Sequence, residues 1–205
     1  LYQWVGPGGA FALSASLYAL CLMLMLHVPA AVGRAGDAKP ASRILREFRE
    51  GFSFVVRDRD ILRIMLVTIV FNVWGFPFLS MIPVVGRDEL VVSAGIIGGL
   101  SALEGAGGLI GALIIAMQVR IPSYRRLYFF GLLGYLILAF TAGWMPSTIP
   151  MGVVLFFVGL FASGFSTMQS TLIYSIAPPE MRSRLFGVLV ICIGTGLIGF
   201  ANIGL

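Results

Sequence analysis

The chain has 205 residues, of which 59% are hydrophobic and only 11% charged, with a mean hydropathy of +0.98. A water-soluble core does not need that much apolar surface, and the formal charge of +5 is gathered in particular loops rather than spread over a nucleic-acid-binding face. Two isolated cysteines, Cys21 and Cys192, and a single histidine, His27, supply neither a disulfide framework nor a metal-ligand cluster, and nothing calls for a cofactor.

Taken in chain order, runs of about 20 apolar residues match a bilayer's hydrocarbon thickness at the helical rise. Such runs cover residues 8–30, 61–85, 92–118, 127–145, 149–177 and 185–205, which predicts an all-α membrane protein of about six spans. The first run has neither a basic leader nor a small-residue cleavage pattern, and so reads as a span rather than a secretory signal. Residues 31–42, AVGRAGDAKPAS, read as a linker. RILREFREGFSFVVRDRD then places Ile44, Leu45, Phe48, Phe52, Val55 and Val56 at helical spacing, with Arg43, Arg46, Glu47, Arg49 and Glu50 largely opposite. This reads as a helix lying on the membrane surface, with a partner-docking helix as the rival. The domain organisation expected is a terminal span over 1–30, a linker with its amphipathic helix over 31–60, and a five-span bundle over 61–205.

Charge sets the topology. Of 14 basic residues only Arg87 falls in a loop on the other side; the positive-inside rule makes the arginine-rich side cytoplasmic and leaves the N-terminal residue outside. Tyr2, Trp4 and Trp144 fall at the predicted outer boundary, Tyr124 and Tyr128 at the inner one.

Within the spans, polar residues are few enough to weigh singly. In FNVWGFPF, Asn72 and Trp74 stand beside Gly75 and Pro77, where a proline permits a bend; Asn72 reads as a cavity contact or a buried interhelical amide. In SALEGAGGLIGALIIAM, Glu104 is the only charge. Gly98, Ser101, Gly105, Gly108 and Ala112 share a small-residue face expected to pack on a neighbour, with Glu104 at its border and Ile96, Leu103, Ile110 and Ile114 toward lipid. An acid at mid-bilayer costs about 3 kcal/mol on insertion scales. Glu104 therefore either exchanges a proton or attracts a cation, or it is a neutral acid bonded between helices. Gly95-x-x-x-Gly99 and Gly107-x-x-x-Gly111 match a helix-contact pattern that arises by chance in so glycine-rich a span. Gly159, Ser163, Ser166, Thr167, Ser170, Thr171 and Tyr174 form a polar stripe, open to two readings: substrate contacts, or hydroxyls bonded to their own backbone. Gln169 lies off that stripe. Pro178, Pro179 and Glu180 suit the start of a helix, while Arg182 and Arg184 either latch a gate or simply mark topology. His27 reads as interfacial.

Four stretches carry a resemblance to a family: EGFSFVVRDRDILR before a span, SALEGAGGLIGALIIA, the short basic QVRIPSYRR, and STMQSTLIYSIAPPEMRSRLFG joining two spans. In these the chain resembles the major facilitator superfamily, and within it the drug and siderophore exporters related to the enterobactin exporter. The resemblance implies the sixth span, the central linker and spans seven to eleven of a twelve-span transporter. The chain starts at Leu1 rather than Met and stops at Leu205 within an apolar run, so a fragment lacking the N-terminal half of the same transporter is expected. The family pattern further implies secondary active, proton-driven export of amphipathic small molecules across a plasma membrane, that of a bacterial inner membrane. It makes Ser163, Thr167, Ser170 and Tyr174, with Asn72 and Trp74, substrate contacts, and Glu180, Arg182 and Arg184 cytoplasmic-gate residues. The partners expected are lipid, a small-molecule substrate and protons. A non-transporting membrane fragment or assembly subunit is the second class. An intramembrane enzyme is the third, disfavoured because Ser163-Gly164 lacks the glycine context of a nucleophile motif and His27 has no acid and nucleophile companions.

The topology has a direct check. Cysteines introduced beside Arg57, Arg87 and Arg120 and labelled with an impermeant maleimide should show the middle position alone facing the exterior; common sidedness of all three would exclude the arrangement.

Overall fold

The computed structural model describes residues 2–27, 41–118 and 123–202, and among them every regular element is helical. Contacts divide the chain into two compact units, 1–43 and 44–205. The first contains α1 (Tyr2–Leu26), interrupted at Gly6, whose φ of 68° suits a residue without Cβ. Its apolar stretch, Phe11–Leu26, reaches about 24 Å at the helical rise, short of the ~30 Å hydrocarbon layer. Residues 28–30 of the predicted first span lie outside the described residues, as do 31–40 of the linker and the side chains of Tyr2 and Trp4.

The second unit holds α2 (Ala41–Arg57) from residue 44 onward, followed by α3 (Arg59–Val70), α4 (Phe78–Val84), α5 (Ala94–Met117), α6 (Tyr124–Ala142), α7 (Thr148–Ile176), α8 (Arg182–Gly194) and α9 (Gly196–Asn202). Asp58 ends α2 and begins α3: its backbone is extended and its carboxylate accepts from the N–H groups of Asp60 and Ile61, both at 3.0 Å. Five helical stretches, Arg59–Glu89, Ala94–Met117, Tyr124–Ala142, Thr148–Ile176 and Arg182–Ala201, are long and apolar enough to cross a membrane. They match the predicted second to sixth runs. Several begin earlier because the helix continues through Arg59, Arg125, Arg126, Arg182 and Arg184 beyond the apolar run that marks each span in sequence.

The first of these stretches is not uniform. Wide turns at Phe71–Gly75 and Val85–Glu89 interrupt it, and Pro77 cannot donate to the backbone ladder. The Leu79 N–H turns to the Phe76 carbonyl at 3.2 Å, releasing the Gly75 carbonyl, which accepts instead from the Tyr135 hydroxyl of α6 at 2.9 Å. A break in lipid is tolerated only when a neighbouring group satisfies the freed carbonyl. Gly199 lies against the same break; a Cβ there would come within 2.6 Å of the Val73 carbonyl oxygen.

α7 is the centre of the bundle, with α5 on one side and α6 on another. Glycines bring the backbones together. A Cβ on Gly107 would overlap the Phe156 carbonyl, one on Gly111 the Ser163 hydroxyl, and one on Gly159 the Glu104 carbonyl; one on Gly131 of α6 would stand 2.7 Å from the Phe165 nitrogen. The predicted packing face of α5 is corrected here. Gly98, Ser101, Gly105 and Ala112 are exposed, while Leu100, Gly107 and Gly111 are buried. The true seam lies roughly 100° round the helix from the small-residue face. Gly107 and Gly111, one turn apart, meet α7 at Phe156, Leu160 and Ser163, so the Gly107-x-x-x-Gly111 match is a real contact; of the small-residue face only half-buried Gly108 reaches α7, beside Gly159.

Tyr128, near the start of α6, faces inward: it is 9% exposed within the main cluster formed by Val55, Ile61, Met65, Phe165, Met168, Ile173, Leu185 and Leu189.

Replacing Gly159 by Val forces α5 and α7 apart and should destabilise the purified chain by about 2–3 kcal/mol, as overpacking does in other cores. Gly105→Ala, where nothing lies within 4 Å of the new methyl, should change little. Equilibrium unfolding in detergent micelles compares them, and equal effects would contradict the assigned seam.

Candidate functional site

The crossing of α5 and α7 fixes Glu104 at the level of Gly159, since the Glu104 carbonyl is the group that abuts that glycine. Its half-buried side chain lines a cavity of about 450 Å³ together with Asn72, Tyr135, Ser163, Ser166, Thr167 and Gln169. Apolar lining comes from Phe71, Phe76, Leu79, Phe165 and Ile193. The Glu104 carboxylate makes no hydrogen bond and no ion pair among the described residues. Around it the polar groups are mostly committed. Asn72 donates to the Thr68 carbonyl at 2.8 Å, Gln169 donates to the Thr68 hydroxyl across the α3–α7 contact, and Tyr135 is held by Gly75. Ser163 donates to Leu160 O at 2.8 Å and Ser166 to Ser163 O at 3.3 Å. Thr167 is the cavity hydroxyl without such a bond among the described residues.

This arrangement can hold an amphipathic molecule. Aromatic rings supply apolar contact, a few fixed dipoles orient the ligand, and one carboxyl group is available to a proton or a positive charge.

The structure brings Asn72, Glu104, Ser163 and Thr167 to one cavity, and places the other predicted residues elsewhere. Trp74 is 73% exposed and lines a separate apolar groove with Val70, Leu132 and Leu136. Two residues from Asn72 on a helix, Trp74 points to the opposite side. Tyr174 lies near the arginine-rich end of α7 with the Arg182 guanidinium 3.9 Å from its ring centroid. Ser170, partly buried between Thr167 and Tyr174, does not line the cavity.

At that same end, Arg182 donates to the Ala177 carbonyl at 3.4 Å, beyond the last turn of α7, and Arg184 pairs with Glu50 of α2 at 2.6 Å. Asp60 accepts from Arg125 at 2.9 Å and from Arg63 at 3.3 Å, tying α3 to α6. Pro178, Pro179 and Glu180 do not begin a helix. They form a turn closed by the Met181 N–H on the Pro178 carbonyl at 2.9 Å, and α8 starts two residues after Glu180.

With the fold and cavity in place, comparison with known proteins decides the family. The family model described as Major Facilitator Superfamily matches residues 1–201. The chain belongs to that superfamily. Neither the comparison with curated proteins nor that with solved structures returned a match. Membership makes this chain a multi-pass membrane protein with a partial major facilitator fold, and its general activity secondary transport, the superfamily's members being transporters rather than enzymes.

Two cavity residues were missed or set aside in sequence. Tyr135 had a signal, since a phenol deep inside an apolar span must find an acceptor. Gln169 appeared off the polar stripe because its partner, Thr68, lies on another helix.

The Glu50–Arg184 pair is partly solvated, with side chains 43% and 31% exposed. A double-mutant cycle with E50Q and R184Q should give a coupling below about 1 kcal/mol that shrinks with added salt. A salt-insensitive coupling of several kcal/mol would indicate a desolvated latch instead.

Proposed function

We propose that this superfamily member is a proton-driven exporter of amphipathic small molecules, in which the described bundle forms one wall of an alternating-access cavity and an N-terminal half of the same transporter forms the other. The observation that carries the reading is Glu104: an acid on a cavity wall, held by a backbone crossing, with no hydrogen bond or ion pair among the described residues. Desolvation in a closed cavity favours the neutral acid, whereas water or a cationic ligand favours the carboxylate, so opening and closing would change its proton occupancy. Thr167, Asn72 and Ser163 are the proposed substrate contacts on the same wall, with Ser170, Tyr174 and Trp74 available only from other directions. Arg182, Arg184 and Glu180 are the proposed cytoplasmic-gate group, and a bacterial inner membrane is the proposed location.

The amphipathic lining supports substrates with an aromatic or aliphatic body and a hydrogen-bonding or cationic end. The test uses the complete transporter in everted membrane vesicles energised by a pH gradient. Glu104→Gln should reduce gradient-driven transport by about tenfold or more while leaving membrane abundance unchanged. Retained coupling in that variant would refute the assigned proton role.

A further inference from the structure

The α2 helix has three faces, and only one is packed against the rest of the described bundle. Gly51 and Val55 are buried and Phe48 packs on the main cluster. A Cβ on Gly51 would stand 3.2 Å from the Arg184 carbonyl oxygen, so this face docks on α8. Leu45, Phe52 and Val56, exposed by 69%, 54% and 54%, form a second ridge at i, i+7 and i+11. Arg46, Arg49, Ser53 and Arg57 form the third face, roughly 100° from that ridge. With Phe54 and Met181 they line a recess of about 360 Å³.

The charges in this recess are unequally matched. Glu50 also lines it, but its carboxylate is 2.6 Å from Arg184 and only 3.7 Å from Arg46. Arg49 and Arg57 have no ion-pair partner among the described residues. α2 leads through Asp58 directly into the membrane-crossing stretch Arg59–Glu89, which at the helical rise is about 46 Å long and so extends through the headgroup layer. Three arginines thus stand at headgroup depth beside an apolar ridge.

We propose that the recess binds the phosphodiester headgroup of an anionic membrane phospholipid, with Arg49 and Arg57 as the principal contacts and Arg46 as the third. Leu45, Phe52 and Val56 enter the acyl region beside it. The planar guanidinium fork matches phosphate oxygens, and the adjacent ridge favours a phosphate carried on a lipid over one free in solution. The expectation of a helix lying wholly on the membrane surface is thereby refined: α2 is docked on α8 through Gly51 and meets lipid through its remaining faces. This inference does not depend on the transport mechanism.

The test uses the purified full chain in detergent, incubated with equal amounts of phosphatidylglycerol and phosphatidylcholine, with retained lipid counted by native mass spectrometry. Phosphatidylglycerol should be retained at least about fivefold over phosphatidylcholine, since each basic residue near an anionic surface contributes about that factor. R49Q/R57Q should bring the ratio near one with an unchanged melting temperature, because both side chains are exposed. R87Q, in the loop at the opposite end, should leave the ratio as it was. A ratio unaffected by R49Q/R57Q would overturn the proposal. So would full displacement of the lipid by millimolar inorganic phosphate, which would identify a site for a soluble anion.

Discussion

The contact on which the bundle depends is the backbone crossing of α5 and α7. Gly159 meets the carbonyl of Glu104, and Gly107 and Gly111 meet the chain around Phe156 and Leu160. In lipid, where apolar side chains gain little by leaving one apolar medium for another, close backbone approach is a main source of helix association. The same crossing determines where the only charge of α5 is held. Packing and cavity are therefore joined at one residue: the main chain of Glu104 belongs to the seam and its side chain to the cavity.

A second constraint is the need to satisfy every polar group away from water. The interrupted helix around Pro77 would leave the Gly75 carbonyl unpaired, and the Tyr135 hydroxyl meets that need. Thr68 does similar work between helices, accepting from Gln169 through its hydroxyl and from Asn72 through its carbonyl. With these groups occupied, the carboxylate of Glu104 and the hydroxyl of Thr167 stand out as the cavity groups left for another molecule.

Charge organises the other end. Arg182 meets a carbonyl beyond the end of α7 and lies over Tyr174, Arg184 ties α8 to α2, and Arg125 ties α6 to α3 through Asp60. Arginines that topology alone would explain are thus also joints between helices, whereas Arg49 and Arg57 have no ion-pair partner among the described residues. The Gly51 contact explains why α2 can present one face to protein and another to lipid.

The sequence by itself determined that this is a bundle of membrane-crossing helices, where five of those helices run, and that Glu104 cannot face lipid. These follow from local quantities: the length of an apolar run, the loop that holds an arginine, and the cost of a charge in hydrocarbon. Tertiary structure alone decided which face of α5 is buried, that Trp74 and Tyr174 lie away from the cavity, and that Tyr135 and Gln169 belong to it. In a helix that is apolar or small on nearly every side, periodicity cannot distinguish a protein-facing stripe from a lipid-facing one. That choice is made by the partner, through glycines and hydrogen-bonding groups distant in sequence.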